Sequence, residues 1–246
     1  MPCFFELSPR ANEHKTMPTS SPSPHDTAAQ ANEPGGDTKS SLLDAAESLI
    51  AEKGVARASL RAITQLAKAN LAAANYHFGS KEGLVRAVVR RHLRPMNAQR
   101  LELLDEVLAE AGDEGPELEP LVRAFIGPVV RYGTELRGRR RHIARLFGRA
   151  MTQHDETLRS VILEELQEVI QRFVDAFAEA LPHLERRELW WRFHFMVGSM
   201  AHLMATGDIL AKVTEGLCDL EDHEGIVDRL TIYVCAGLRA PAPFGS

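Results

Sequence analysis

Aromatic residues are scarce, cysteines are few and no long apolar run exists. Phe, Trp and Tyr make up only 6% of the 246 residues, so the core must be built mainly from aliphatic side chains and alanine. The three cysteines, Cys3, Cys218 and Cys235, are an odd number with no CxxC or Cys/His spacing; this excludes a disulfide framework and a structural zinc site and fits a reducing compartment. The ten histidines contain no HxxxH or HExxH pair, and His194 and His202 stand two helical turns apart, so no metal is expected. No Ser/His/Asp, Cys/His or paired-carboxylate arrangement with a supporting motif occurs, which makes a helical enzyme the weakest alternative and leaves no cofactor to expect. The most apolar stretch, 190–204, is interrupted by Arg192, His194 and His202 and falls short of the roughly 18 apolar residues that span a bilayer. The N-terminus, MPCFFELSPR, has no basic segment followed by an apolar one, so a signal peptide is not expected, the location expected is cytoplasmic, and Met17 is a second candidate start.

What is present is an ordinary globular composition, 44% hydrophobic and 26% charged, with an uneven distribution of charge. The chain is −5 overall, yet residues 39–94 hold ten basic and four acidic side chains, a local +6. A basic module on an acidic body is the footprint of a polyanion binder, because each neutralised phosphate releases counterions. The competing reading of such a segment is a solvated charged face.

Residues 1–38 are rich in Pro, Ser, Thr, Ala and Asn without apolar periodicity and read as a disordered tail. From Ser40 the pattern is helical throughout, which predicts an all-α fold. Leu42, Ala46, Leu49 and Ile50 share one stripe that stops at Gly54. Ser59 caps a short second helix, Asn70 caps a third running from Leu71 to Phe78, and Ser80 caps a fourth that starts at Lys81. Two short helices joined by a tight connection, the second opening on small side chains, describe a helix-turn-helix.

The stretch SLRAITQLAKANLAAANYHFGSKEGL resembles the DNA-binding signature of the TetR family of one-component regulators, with the run from Asn75 to Lys81 its most specific part. The resemblance covers about residues 41–94. Two positions depart from the family pattern: Lys68 stands at the turn where glycine is usual, and must take up a positive φ there, and Val55 replaces an aromatic residue after Gly54. The resemblance implies a double-stranded DNA operator as partner, phosphate contacts from Tyr76, His77 and Lys81, and a base-reading position at Arg61, whose guanidinium suits guanine. Asn75 is the only amide on the helix able to pair with adenine, while Leu71, Ala72 and Ala73 offer no hydrogen bonds and the alanines can touch only thymine methyls. The candidate DNA-binding set is therefore Arg61, Asn70, Leu71, Ala72, Ala73, Asn75, Tyr76, His77 and Lys81. Leu60, Ile63, Leu71 and Phe78 also read as core positions, so Leu71 carries both readings.

Residues 95–246 form the second domain after the tail (1–38) and the DNA-binding domain (39–94). Helices are expected at 96–111, 117–132, 139–153, 155–181, 185–210 and 224–239. This matches the helical regulatory and dimerisation domain that the resemblance implies, and NLAAANYHFGSK together with LWWRFHFMVGSM is similar to the fatty-acid-responsive PsrA-type branch. The helix 185–210 is apolar around most of its circumference. Its small-residue side, Trp191, His194, Gly198, Ala201, His202 and Ala205, is assigned to a homodimer seam with Ile226, Leu230, Val234 and Leu238 of the last helix. Phe125, Phe147, Phe173, Phe193, Met196 and Met200 are candidates to line a cavity for a small hydrophobic ligand, a fatty acid or acyl-CoA by the PsrA-type resemblance. Arg141, Arg145 and Arg149 recur every four residues opposite an apolar stripe and read as a solvated face or as partners of nearby acids rather than as a carboxylate or phosphate clamp. The expected function is a dimeric repressor released from its operator by that ligand; the alternative is a DNA-binding regulator without an effector.

Overall fold

A computed structural model describes residues 35–139 and 156–242. Among these residues all regular structure is helical: α1 (Gly35–Lys53), α2 (Leu60–Leu66), α3 (Leu71–Phe78), α4 (Lys81–Ala111), a 3₁₀ turn (Gly112–Glu114), α5 (Leu118–Arg139), α6 (Glu156–Ala180), α7 (Arg186–Val213) and α8 (His223–Arg239). Helix α1 begins at Gly35, four residues inside the segment expected to be tail. Arg141, Arg145, Phe147 and Arg149 lie outside the described residues, as does most of residues 1–38. No helix among the described residues is long and apolar enough to cross a membrane.

The chain places its helix starts where short polar side chains can satisfy the free N–H groups of a first turn. The Ser59 hydroxyl accepts from the Ala62 N–H at 3.1 Å, Asn70 Oδ1 from the Ala73 N–H at 2.7 Å, and the Ser80 hydroxyl from the Gly83 N–H at 3.1 Å. These three caps fix the ends of α2, α3 and α4 within a segment of 22 residues. Leu42, Ala46, Leu49, Ile50, Ile63, Ala74, Leu84, Val85 and Val88 then close a small aliphatic core between the four helices. Val55, which replaces the aromatic residue usual in the resembled family, is buried in that core.

Helix α4 runs without interruption from the module of the first helices into the body, through Pro95. It packs against α5 and α6, while α5 packs along α8. The body core comprises Leu104, Leu121, Val122, Phe125, Ile126, Phe173, Phe177, Leu189, Phe193 and neighbouring aliphatic groups. The buried aromatic residues among the described residues, Phe125, Phe173, Phe177 and Phe193, all lie here. The Phe125 ring is 5.0 Å from that of Phe173 and 5.1 Å from that of Phe193, both edge-on, a geometry favoured by the ring quadrupoles.

The first core does not stop at the sequence boundary near residue 94. Leu158, Val161 and Ile162, in the opening turns of α6, are buried in it alongside Leu93 and Met96. Polar groups reinforce the junction. Buried His92 of α4 hydrogen-bonds through Nε2 to Glu47 of α1 at 2.7 Å and through Nδ1 to the hydroxyl of Tyr132 in α5, so one side chain ties three helices. Arg86 pairs with Glu164, Arg90 and Arg94 both reach Glu165, and the Asn97 amide donates to the Glu165 carbonyl at 2.8 Å.

Candidate nucleic-acid interface and ligand core

Helix α3 is held at both ends and along one side, and the remaining side is open. Buried Ala74 anchors it, while Leu71, Ala72, Asn75 and Tyr76 point outward. Leu71 is 50% exposed, which removes it from the core and leaves its groove-facing reading; Ile63 alone of the four expected core positions is fully buried, with Leu60 and Phe78 half-buried. Tyr76 is 86% exposed and meets His77 edge-on at 5.2 Å. Arg61 is exposed on α2, whereas Ala73 and His77 are half-buried. The Asn70 side chain is committed to its cap. Lys81 Nζ lies 3.4 Å from the carbonyl of Ala56, so its ammonium is held beside the α1–α2 turn at the start of α4.

The turn between α2 and α3 has the geometry that its sequence makes difficult. Lys68 adopts φ 53°, the Ala69 N–H donates to the Thr64 carbonyl at 2.9 Å and the Lys68 N–H to the Gln65 carbonyl at 3.3 Å. This pair of bonds is a Schellman motif, which places a left-handed residue just past the helix end. At the far end of α3, Gly79 takes φ 73° and its N–H donates to the Asn75 carbonyl.

Gly83 was not singled out by sequence reasoning, although it is decisive for the geometry. A Cβ at this position would stand 2.0 Å from the carbonyl oxygen of Phe78, so only glycine lets α4 start this close to the end of α3. The sole sequence signal is a glycine in the first turn of a capped helix. Nearby, the Glu82 carboxyl is held below its usual range, chiefly by a backbone N–H and then by the Ser80 hydroxyl.

The local charge excess divides in space. Arg86, Arg90 and Arg94 pair with acids of α6, and Arg91 with Asp44, so these four support the junction. The side chains of Lys53, Arg57, Arg61 and Lys68 are exposed and Lys81 is half-exposed, all near α2, α3 and their flanking turns.

In the body, the ligand-lining candidates Phe125, Phe173, Phe193, Met196 and Met200 are all buried in one cluster and fill the space between α4, α5, α6 and α7 themselves. Two surface depressions lie elsewhere. One of about 680 Å³ follows α6 past Leu163 and Ile170 to Trp190, and one of about 370 Å³ lies between the end of α7, the loop after it and α8.

On α7 the expected seam is open: Trp191, His194, Gly198, His202 and Ala205 are exposed and Ala201 is half-buried. On α8 the assignment changes. Ile226, Val234 and Leu238 are buried in the protomer core and Leu230 is half-buried against it, because this face of α8 packs on α5 and α7. The exposed apolar residues of α8 are Ile232 and Tyr233.

The profile described as bacterial regulatory proteins, tetR family, matches residues 42–88, and that described as tetracyclin repressor-like, C-terminal domain, matches residues 123–237. The chain belongs to the TetR family of transcriptional regulators. Known folds of this TetR-family regulator's kind include the fatty acid degradation regulator FadR from Bacillus halodurans (17% identity, TM-score 0.57, 84% of this chain and 98% of that one). FadR from Bacillus subtilis in complex with stearoyl-CoA is similar at 16% identity and TM-score 0.57, over 80% of this chain and 98% of that one. NalD, the secondary repressor of the MexAB-OprM multidrug efflux pump in Pseudomonas aeruginosa, is similar at 20% identity and TM-score 0.54, over 81% and 96%. At these identities the likeness is one of fold. No curated protein matches the chain by sequence.

Proposed function

We propose that the chain is a homodimeric, non-enzymatic repressor that reads operator DNA with α3 and is released by a small hydrophobic ligand bound in the body, a fatty acid or acyl-CoA. The observation that carries the DNA-binding reading is the open face of α3: Leu71, Ala72, Asn75 and Tyr76 are turned outward by two caps and a Schellman turn, next to exposed Arg61 and Lys68. Asn75 and Arg61 supply hydrogen bonds to base edges, Tyr76, His77, Lys68 and Lys81 supply phosphate contacts, and the apolar side chains leave much of the selectivity to DNA shape.

The dimer reading rests on the exposed face of α7. Trp191 is 57% exposed and its ring stacks on that of Phe195, with Gly198, His202, Ala205 and Ile209 continuing the face and Ile232 and Tyr233 beside it on α8. Two-fold reading of DNA requires the two α3 helices to meet successive major grooves, about 34 to 36 Å apart, and this is the spacing a second copy on this face would have to supply.

Support for the ligand reading comes from the aromatic cluster under α4 and from the fold shared with FadR, whose Bacillus subtilis form was solved with stearoyl-CoA. A ligand that prefers one arrangement of α4 against α5, α6 and α7 would shift the module that α4 carries, and operator DNA would weaken ligand binding by the same factor. Titrating the protein–operator complex with stearate, stearoyl-CoA and aromatic acids tests this. Release by either lipid supports the assignment, release by aromatic acids alone replaces it, and release by none favours a regulator without an effector.

A further inference from the structure

Helix α4 turns one stripe into the core: Leu93, Met96, Asn97, Arg100 and Leu104 are all buried on it. Arg100 is out of place there. It is 2% exposed, set between Phe125 of α5 and Met200 of α7. Among the described side chains, every other buried or half-buried arginine, namely Arg86, Arg90, Arg91, Arg131, Arg172 and Arg192, pairs with a carboxylate. Arg100, the most enclosed of all, pairs with none. Burial pushes its pKa down to about 9, and it still carries its charge at neutral pH.

The groups that do meet Arg100 are weak counterparts for a cation. Nε donates to the Phe125 carbonyl at 2.7 Å, Nη2 lies 3.8 Å from the sulfur of Met200, and the guanidinium carbon stands 4.1 Å above the Phe125 ring. Pro128 inside α5 lacks an N–H and leaves the carbonyl one turn earlier without its helical donor, which loosens the ladder next to Phe125. A carbonyl dipole, a ring face and a thioether hold the guanidinium in place without neutralising it. Of its five N–H groups two are used, one on Nε and one on Nη2, which leaves both hydrogens of Nη1 and one of Nη2 for an acceptor, and displacement of Met200 frees the whole end of the fork.

The surroundings define that acceptor. Phe125 continues into Phe173 and Phe193, so the cation sits at the edge of an aromatic cluster, and flexible Met200 is the contact most readily displaced. We infer that Arg100 is the anchor for the carboxylate of a hydrophobic free acid whose hydrocarbon part displaces Met200 and enters among Phe125, Phe173 and Phe193. This rests on the ligand reading above and narrows it. A thioester has no charge to offer, and a nucleotide head group is too large to be enclosed with a side chain buried to this degree, so an anchor at Arg100 favours the free acid over its coenzyme A ester. Arg100 follows Pro95 by five residues on the helix that carries the DNA-binding module, so pairing here acts on α4 directly.

The test measures binding of myristate, 1-tetradecanol, myristoyl-CoA and 4-phenylbutyrate by calorimetry, with thermal shift in parallel, on the full chain and on Arg100→Met and Arg100→Lys. The expected result is at least tenfold tighter binding of an acid than of the alcohol to the unaltered protein, loss of that preference in Arg100→Met, and its partial rescue in Arg100→Lys. If Arg100→Met binds the acid as the unaltered protein does, the anchor is wrong while the hydrophobic-ligand reading stands. Equal binding of acid and alcohol, or binding of the coenzyme A ester alone, overturns the anchor in the same way. Absence of binding by every probe to an operator-competent protein overturns both. If Arg100→Met does not fold, the acid-to-alcohol ratio and Arg100→Lys decide.

Discussion

The carbonyl oxygen of Phe78 and the Cα of Gly83 are so close that any side chain on residue 83 would collide with the backbone, at 2.0 Å for a bare Cβ. The angle at which α4 leaves α3 therefore depends on one hydrogen atom. Gly83→Ala has to move the junction, since the obstacle is backbone and not a flexible side-chain tip. The expected loss is about 1 to 3 kcal/mol of stability, outweighing the better helix propensity of alanine. Operator affinity should fall at least tenfold while the far-ultraviolet helical signal persists; a variant with unchanged affinity would separate this contact from the placement of α3.

Lys68 is in the left-handed region, at φ 53°, which an L side chain occupies at a penalty of about 1 kcal/mol or more. Lys68→Gly should raise the thermal midpoint, and Lys68→Ala should not, because alanine keeps the offending Cβ. Both variants lose a charge beside α3, so both should weaken operator binding and reduce the slope of log affinity against log salt by about one unit.

Direct reading by Arg61 and Asn75 is checked by alanine substitution against a library of operator variants. Each change should cost about 1 to 3 kcal/mol and relax preference at one position per half-site. Lys81→Ala should instead weaken all sequences alike. Intact selectivity in both Arg61→Ala and Asn75→Ala would leave DNA shape as the sole source of specificity.

The dimer face can be probed without disturbing the protomer, because a Cβ on Gly198 meets nothing within 4 Å. Gly198→Arg should keep the fold and yield monomers in light scattering with poor operator binding, since an unpaired charge would be buried in the seam. A dimer that survives this change removes α7 from the interface.

Glu165 accepts from Arg90 and Arg94 at the α4–α6 contact. Burial alone would raise its pKa, but hydrogen bonds from Arg90 and Arg94 outweigh that effect and hold the carboxyl below its ordinary 4.5. A lowered folded-state value contributes stability that is present at neutral pH and lost as pH falls through that value. Glu165→Gln should therefore be less stable than the unaltered chain in chemical denaturation at pH 7, and the gap should shrink as pH falls below 4.5. A pH-independent gap would assign the loss to packing.

Much of the DNA-binding module was legible because its signals are local. Ser59, Asn70 and Ser80 each cap a turn three residues away, and α3 spans Leu71–Phe78 as its cap and its terminal glycine dictate. The glycine-less turn at Lys68 likewise demanded a positive φ. What escaped depends on partners far along the chain. Arg86, Arg90 and Arg94 count toward a basic segment until α6 folds back more than 70 residues later and presents Glu164 and Glu165. The face of α8 was read in reverse because a helix with apolar residues on two sides shows the same period whichever side is inward; Val234 and Leu238 went to the protomer and Ile232 and Tyr233 to the surface. Arg100 had a visible signal, a charge on the same stripe as Leu93, Met96 and Leu104, which only the carboxylate-free core around it made meaningful.

The passage of α4 through Pro95 makes the helix a lever with its weakest point inside it. Proline removes a ladder bond and bends a helix where it stands. From Lys81 to Pro95 the arm is roughly 21 Å at 1.5 Å per residue. A swing of only about 10° at that pivot carries the tip, and with it the end of α3, by roughly 3.6 Å, about the rise of one base pair along DNA. In the two-fold dimer proposed above both arms would swing together, so a small displacement at Pro95 would put the two α3 helices out of step with each other.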